Sequence, residues 1–186
     1  MRDLLPHTVV AEQRGFVPTR SLEHNILDVG FWSRKASFQP ELRPCELPLD
    51  FGSAFSSVPH EYLAMVWAQS GLPAGLIMAL AISQVLVGSC APSSSGCSSP
   101  PCFWICRGIR QGCPTSGWCW SVLSYVILAL LMTAIDHPAA GRPRGVTRAC
   151  ADDIAIVLFT IRTLALVQKM LAFIGASIGL ILNISK

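Results

Sequence analysis

The sequence predicts a single α+β domain, and three observations lead there. Its 186 residues match one ordinary domain and suffice for a substantial core. Hydrophobic residues make up 52% and charged residues only 13%, against roughly 25% charged in an average soluble domain. Most of the chain is therefore destined for burial, inside the domain, against further domains or in a bilayer. Finally, strand-like and helix-like segments follow one another in mixed order, with helices grouped between few strands, which is an α+β pattern.

The elements follow in chain order. Residues 1–44 are comparatively polar and interrupted by Pro6, Pro18, Pro40 and Pro44, with a short helix predicted over residues 21–29. Residues 45–51 read as a short strand ending in Asp50. Pro59 suits the first position of a helix that continues over residues 60–70, where Leu63, Val66 and Trp67 recur at helical spacing. Gly71-Leu72-Pro73 breaks it, and a second apolar helix spans residues 74–87. Residues 89–101, rich in Ser, Pro and Gly, read as a loop, and residues 102–106 as a strand. A long apolar segment covers residues 118–135, and residues 138–144 form another loop. Residues 147–158 predict two short strands around Asp152-Asp153, residues 161–178 a helix and residues 180–184 a last strand.

The net charge of +3 permits a nucleic-acid partner without arguing for one, since a far more basic domain is the usual footprint. Eight cysteines contain no C-x-x-C pair, and His7, His24, His60 and His137 are scattered, so no zinc set is formed. The cysteines read as reduced, mostly buried small hydrophobes. Residues 1–10 include Arg2, Asp3, Pro6 and His7 and lack the apolar core of a secretory signal, which predicts an intracellular setting, cytoplasmic or nuclear. The uncharged run 118–135 is close to the shortest that crosses a bilayer. Residues 154–184 are also apolar but contain Arg162 and Lys169. Hydropathy does not separate such a span from a fully buried helix, so a small multi-span membrane protein is the alternative from another class.

With only 11 acidic residues, carboxylates among apolar neighbours stand out. Asp50 lies between Leu49 and Phe51, and Asp152-Asp153 between Ala151 and Ile154. An unpaired carboxylate in such a setting is costly and two adjacent ones repel; a divalent cation resolves both. An Asp-Asp pair alone most often belongs to a turn. A third carboxylate at the end of a separate strand changes the weighing. Three carboxylates from two strands suit a two-metal phosphoryl-transfer site, with ions roughly 3.5–4 Å apart. Hard oxygen ligands favour magnesium.

Five blocks, in order, carry a resemblance. They are Gln13-Arg14-Gly15-Phe16-Val17-Pro18-Thr19-Arg20-Ser21, Leu49 through His60 (LDFGSAFSSVPH), Gly108 through Ser116 (GIRQGCPTS), Ala149-Cys150-Ala151-Asp152-Asp153, and Gly179 through Lys186 (GLILNISK). From Gln13 to Lys186 the chain resembles the reverse transcriptases of non-LTR retrotransposons and group II introns. The resemblance implies a right-hand polymerase palm, a small antiparallel sheet backed by helices. Residues 1–44 would be part of the fingers and residues 45–186 the palm, with the thumb absent. It implies an RNA-directed DNA polymerase that uses an RNA template, a DNA primer and dNTPs, and two Mg2+ ions with Mn2+ as a substitute. Asp50 and Asp152 would hold both ions and Asp153 one. The carbonyl of Phe51 would help to hold the nucleotide-bound ion.

The same resemblance implies further roles. Phe55 occupies the position of a steric gate that crowds a ribose 2′-hydroxyl; its alternative is an ordinary core phenylalanine. Gln111 and Gly112 would lie beside the incoming nucleotide and template. Arg20 would touch a phosphate or sit as a solvated surface arginine. Lys186 matches a lysine that protonates pyrophosphate. Cys150, Ser56 and Thr115-Ser116-Gly117 depart from the family pattern without removing a metal ligand, as in a drifting copy of a mobile element. A catalytically inactive remnant is thus the nearer alternative. The missing thumb and other domains of a longer polyprotein would supply most of the grip on primer and template, so the chain as given is expected to extend a primer poorly.

Overall fold

The computed structural model describes residues 9–84, 87–89, 101–135 and 143–183. In chain order the elements are α1 (Leu22–Ser37), β1 (Cys45–Leu49), β2 (Phe51–Gly52), α2 (Ala54–Ser57), α3 (His60–Gln69), α4 (Ala74–Gln84), β3 (Val87–Ser89), β4 (Pro101–Trp104), α5 (Ser116–Ile135), β5 (Gly145–Cys150), β6 (Asp153–Leu158), α6 (Leu164–Ile178) and β7 (Ile181–Leu182). This is the predicted mixture of small antiparallel sheets and helices.

Three strands in the order β1-β6-β5 form the central sheet, antiparallel throughout. Its register pairs Leu49 with Ile154 on one side and Ala149 with Ile154 on the other. Because side chains alternate along a strand, Ile154, Ile156 and Leu158 all point to one face, and all three are buried. Against that face lies α5, whose Leu123, Leu128, Leu131 and Ile135 are fully buried, with Val167, Ile174 and Ile178 of α6 in the same core. The apolar run expected to be either a membrane span or a core helix is therefore the core helix. By length and composition α5 and residues 161–178 could cross a bilayer, yet most of α5 is buried within the domain.

The opposite face of the sheet is roofed by α1. Ser21 caps this helix by accepting the Glu23 amide, and Arg34 and Lys35 in its last turn suit the negative end of the helix dipole. Asp28 fastens it down, accepting from Arg14 at 2.8 Å and from Arg148 of β5 at 2.9 Å. The hydrogen bond from Arg148 and then that from Arg14 hold the Asp28 carboxyl below its ordinary 3.8. A lowered folded value means that the contribution is full above the unfolded pKa and is lost as pH falls through the folded one. The pair is partly exposed and contributes about 1 kcal/mol or less. The stability difference between the wild type and Asp28→Asn, measured by urea unfolding, should thus shrink as pH drops below about 4.

Some expectations need correction. The first helix runs to Ser37, well past residue 29. Pro59 is the residue before α3, with extended φ −64 and ψ 139, and not its first helical residue. The second apolar helix ends by Gln84, and Val87, assigned to it, lies in β3. Ser89 and Pro101, read as loop ends, pair with each other in the β3–β4 hairpin; residues 90–100, most of the 138–144 loop, and Lys186 lie outside the described residues. Of the free cysteines described, only Cys119 is buried, whereas Cys106 is exposed and Cys45, Cys113 and Cys150 are half-buried. The expectation of mostly buried thiols does not hold for these.

Candidate active site

The sheet register assembles the carboxylates. Cys150 pairs with Asp153 across the β5–β6 hairpin, and Leu49 pairs with Ile154. Continuing the β1–β6 register by one residue sets Asp50 opposite Asp153. Strand alternation turns Cys150, Asp153 and Asp50 away from the buried Ile154 and towards the α1 side. Asp50 and Asp153 accordingly line one cleft of about 670 Å³, with Asn25 and Ile26 of α1 as part of its wall and Arg148, Cys150 and Asn183 on its rim. Asp152 occupies the turn beside them. Residues remote in sequence thus meet at one end of the sheet.

The carboxylates are less enclosed than their apolar neighbours suggested. Asp50 and Asp152 are half-buried and Asp153 is exposed. The apolar residues on either side, Ala149 and Ile154, point into the core while the acids point out. Asp50 is held from β7's end: its carbonyl accepts the Asn183 amide at 2.8 Å, and its Oδ2 accepts from Asn183 Nδ2 at 3.3 Å. The thiol of Cys150 is pushed above its ordinary 9.0 by burial, and then by the charges of Asp153 and Asp152.

Phe51 is buried and pairs with Leu182 in a second, two-stranded sheet. Phe55, in the short α2, is half-buried. Its ring stacks on Trp120 of α5 at 5.0 Å and meets Phe16 edge-on at 6.3 Å. Its carbonyl accepts the Ile109 amide, so the segment leading to Gln111-Gly112 runs alongside α2. Gln111 and Gly112 themselves are exposed in a turn, where Gly112 has φ +82, a conformation that favours glycine. Arg20 is not a freely solvated surface arginine. Its guanidinium donates to the carbonyls of Val9, Val10 and Gln13, fastening the N-terminal segment to itself.

Sequence reasoning passed over one residue of this region. Gln13 is fully buried. Its backbone makes a parallel bridge to Ala149, flanking β5. Its side chain reaches the turn that carries Asp152: Oε1 accepts the Ala151 amide at 2.9 Å, and Nε2 donates to the Ala151 carbonyl at 2.9 Å. Gly15 lies against the same peptide so closely that a Cβ there would stand 2.0 Å from the Ala151 nitrogen. Its partners are far away in the chain, and the only sequence-level signal was a polar residue opening the first block.

The comparisons with known proteins agree with this geometry. No curated protein sequence matches the chain. Among solved structures, apo telomerase from Candida tropicalis truncated from its C-terminal domain superposes with a TM-score of 0.66 at 12% identity, over 100% of this chain and 39% of that one. Telomerase from Candida albicans, in complex with a fragment of telomeric RNA, gives 0.64 at 14% identity over 89% of this chain and 30% of that one. The chain therefore spans only 30% to 39% of those proteins, and the likeness is one of fold: the right-hand polymerase fold that the sequence predicted. A sequence profile described as reverse transcriptase (RNA-dependent DNA polymerase) matches residues 1–186, and the chain belongs to that family.

Proposed function

We propose that this chain is the catalytic core of an RNA-directed DNA polymerase of non-LTR retrotransposon type. It would join the 3′-hydroxyl of a DNA primer to a dNTP on an RNA template, releasing pyrophosphate. The observation that carries the reading is the strand register that sets Asp50 opposite Asp153 on one cleft at the end of the central sheet, with Asp152 in the adjoining turn. The subtype rests on the five sequence blocks, with Asn183 of the last block hydrogen-bonded to Asp50 of the second.

The donor set suits hard divalent cations: carboxylate oxygens, half-buried to exposed, at an open cleft. Among the described residues, no three His, Cys, Asp or Glu side chains are already gathered tightly enough to enclose an ion. Asp50, Asp152 and Asp153 would hold two Mg2+ ions, for which Mn2+ substitutes, and these supply Lewis-acid activation of the hydroxyl and charge neutralisation on the triphosphate. The rest falls to the protein. Asn183 holds the Asp50 carboxylate at the cleft, α1 supplies one wall of that cleft, and Gln111-Gly112 would offer an exposed turn to the nucleotide and template.

Phe55 is braced between Trp120 and Phe16, so its ring has little freedom to yield, which suits a gate that reads the sugar. Phe55→Val in an active protein containing this domain should raise rNTP use relative to dNTP by about tenfold or more, the scale on which a pocket reads one small group. Competing dNTP and rNTP incorporation measures it, and unchanged discrimination would return Phe55 to an ordinary core role. The overall reading is tested by primer extension on an RNA template with dNTPs and Mg2+. Synthesis that is independent of Asp152 would refute it.

A further inference from the structure

We infer that Gln13 is a positioning residue for the metal-binding carboxylates, fixing the direction in which Asp152 leaves the β5–β6 turn; the inference rests on the polymerase reading. The argument starts from Ala151. It is the first of two turn residues between Cys150 and Asp153 and has φ +58. A non-glycine residue there is strained by roughly 1–2 kcal/mol, so something must hold it. Both of its backbone polar groups are engaged by the one planar carboxamide of Gln13, each at 2.9 Å.

That pairing is more informative than two bonds to a loop. The Ala151 amide belongs to the Cys150–Ala151 peptide plane, and its carbonyl belongs to the Ala151–Asp152 plane. Gripping both fixes the two planes on either side of Ala151 and hence the bond from which Asp152 starts. The carboxamide is not free to follow a drifting turn. Its Oε1 also accepts the Gly15 amide at 2.8 Å, and its Nε2 also donates to Ser124 Oγ of α5 at 3.0 Å. Ser124 in turn donates to the Ser121 carbonyl, and Ser121 donates to the Gly15 carbonyl. The turn is thereby referenced to the core helix through a closed set of buried hydrogen bonds. Fully satisfied buried networks of this kind define a single geometry, and partly broken ones lose it.

Gln13 touches no carboxylate. It acts on Asp152 through the peptide, as groups behind metal ligands do, where substitution commonly costs about 10–100-fold in metal affinity or rate. The test uses the full-length protein and three readouts: Mn2+ affinity by electron paramagnetic resonance, extension rate at saturating dNTP, and the apparent KM for dNTP. Leu80→Ala serves as the stability control, since it empties a buried position of α4. Asp152→Asn identifies the part of Mn2+ binding that belongs to the site.

Gln13→Ala should weaken Mn2+ binding and slow extension by about 10–100-fold, leave KM nearly unchanged, and exceed any effect of Leu80→Ala at equal loss of Tm. If Gln13→Ala does not fold, Gln13→Glu decides. It keeps an acceptor for the Ala151 and Gly15 amides while losing both donated bonds, and should be impaired in the same direction. Wild-type Mn2+ affinity and rate in the variant overturn the inference. So does a loss that merely tracks Tm in Gln13→Ala and Leu80→Ala alike, or a wild type whose Mn2+ binding ignores Asp152→Asn. A wild type that binds Mn2+ through Asp152 but extends no primer sinks the polymerase reading alone, and the Mn2+ affinities then decide the role of Gln13.

Discussion

Asp152→Asn should lower primer extension by on the order of a thousandfold or more in an active protein containing this domain. The size follows from its place. Asp152 stands in the turn between two strands, beside Asp153, which the register sets opposite Asp50, and it would ligate both ions. Removing one charged ligand weakens hold on the hydroxyl and on the triphosphate together, a loss of several kcal/mol, and each 1.36 kcal/mol is about tenfold in rate. Extension of a labelled DNA primer on RNA measures it, with circular dichroism to verify that the fold is kept. The carboxamide is nearly isosteric, so near-normal synthesis by the variant would remove Asp152 from the chemistry and the metal assignment with it.

Leu128→Ala should destabilise the chain by about 3 kcal/mol, within the roughly 2–5 kcal/mol typical of Leu→Ala in a packed core. Leu128 is fully buried on α5, among the residues packed behind the central sheet. The cost combines lost burial with the cavity left where neighbours cannot collapse. Met78→Ala, at a position 62% exposed on α4, should stay within about 0.5 kcal/mol. Urea unfolding of both variants, compared at equal slope, gives the values. The pair also separates a core helix from a membrane helix. A lipid-facing leucine on α5 would not report such a loss in aqueous buffer, and equal behaviour of the two variants would contradict the packing described above.

How far the sequence reached depended on the range of the interactions. The β5–turn–β6 unit was legible because an Asp-Asp turn beside a short apolar run is a local signal. So was α3, with Leu63, Val66 and Trp67 at helical spacing and all three buried. The length of α1 was not, and the expected helix ended just before Gly30. In the structure nothing stands within 4 Å of a Cβ at Gly30, so the glycine costs some helix propensity without ending the helix. The exposure of the acids was also misjudged. Apolar neighbours in sequence suggest burial, yet in a strand they point the other way from the residue between them.

For the candidate site, the five blocks named Asp50, Asp152 and Asp153, and the sheet register brings Asp50 and Asp153 opposite each other. They did not assign a task to Gln13 or Asn183. Both act through partners on the far side of the chain: Gln13 and Ala151 are 138 residues apart, and Asn183 and Asp50 are 133 apart. The task of Arg20 was not legible either, although its partners lie only 7 to 11 residues away. An arginine in a block of polar and small residues reads as a phosphate contact or a solvated side chain, and only the folded chain shows the three carbonyls it ties together.

The tight seat of Gly15 has a bearing on how such a gene decays. A copy released from selection gathers substitutions wherever mutation falls, and the acidic residues are small targets. At Gly15, any other residue brings a Cβ 2.0 Å from the Ala151 nitrogen, a collision with backbone that only movement of the turn relieves. One base change there would dislodge the carboxylates while leaving every one of them in the reading frame. A census of relatives that scores only aspartates would then count silent copies as competent. On the polymerase reading, position 15 would therefore be scored alongside the aspartates in judging whether a relative's site is intact.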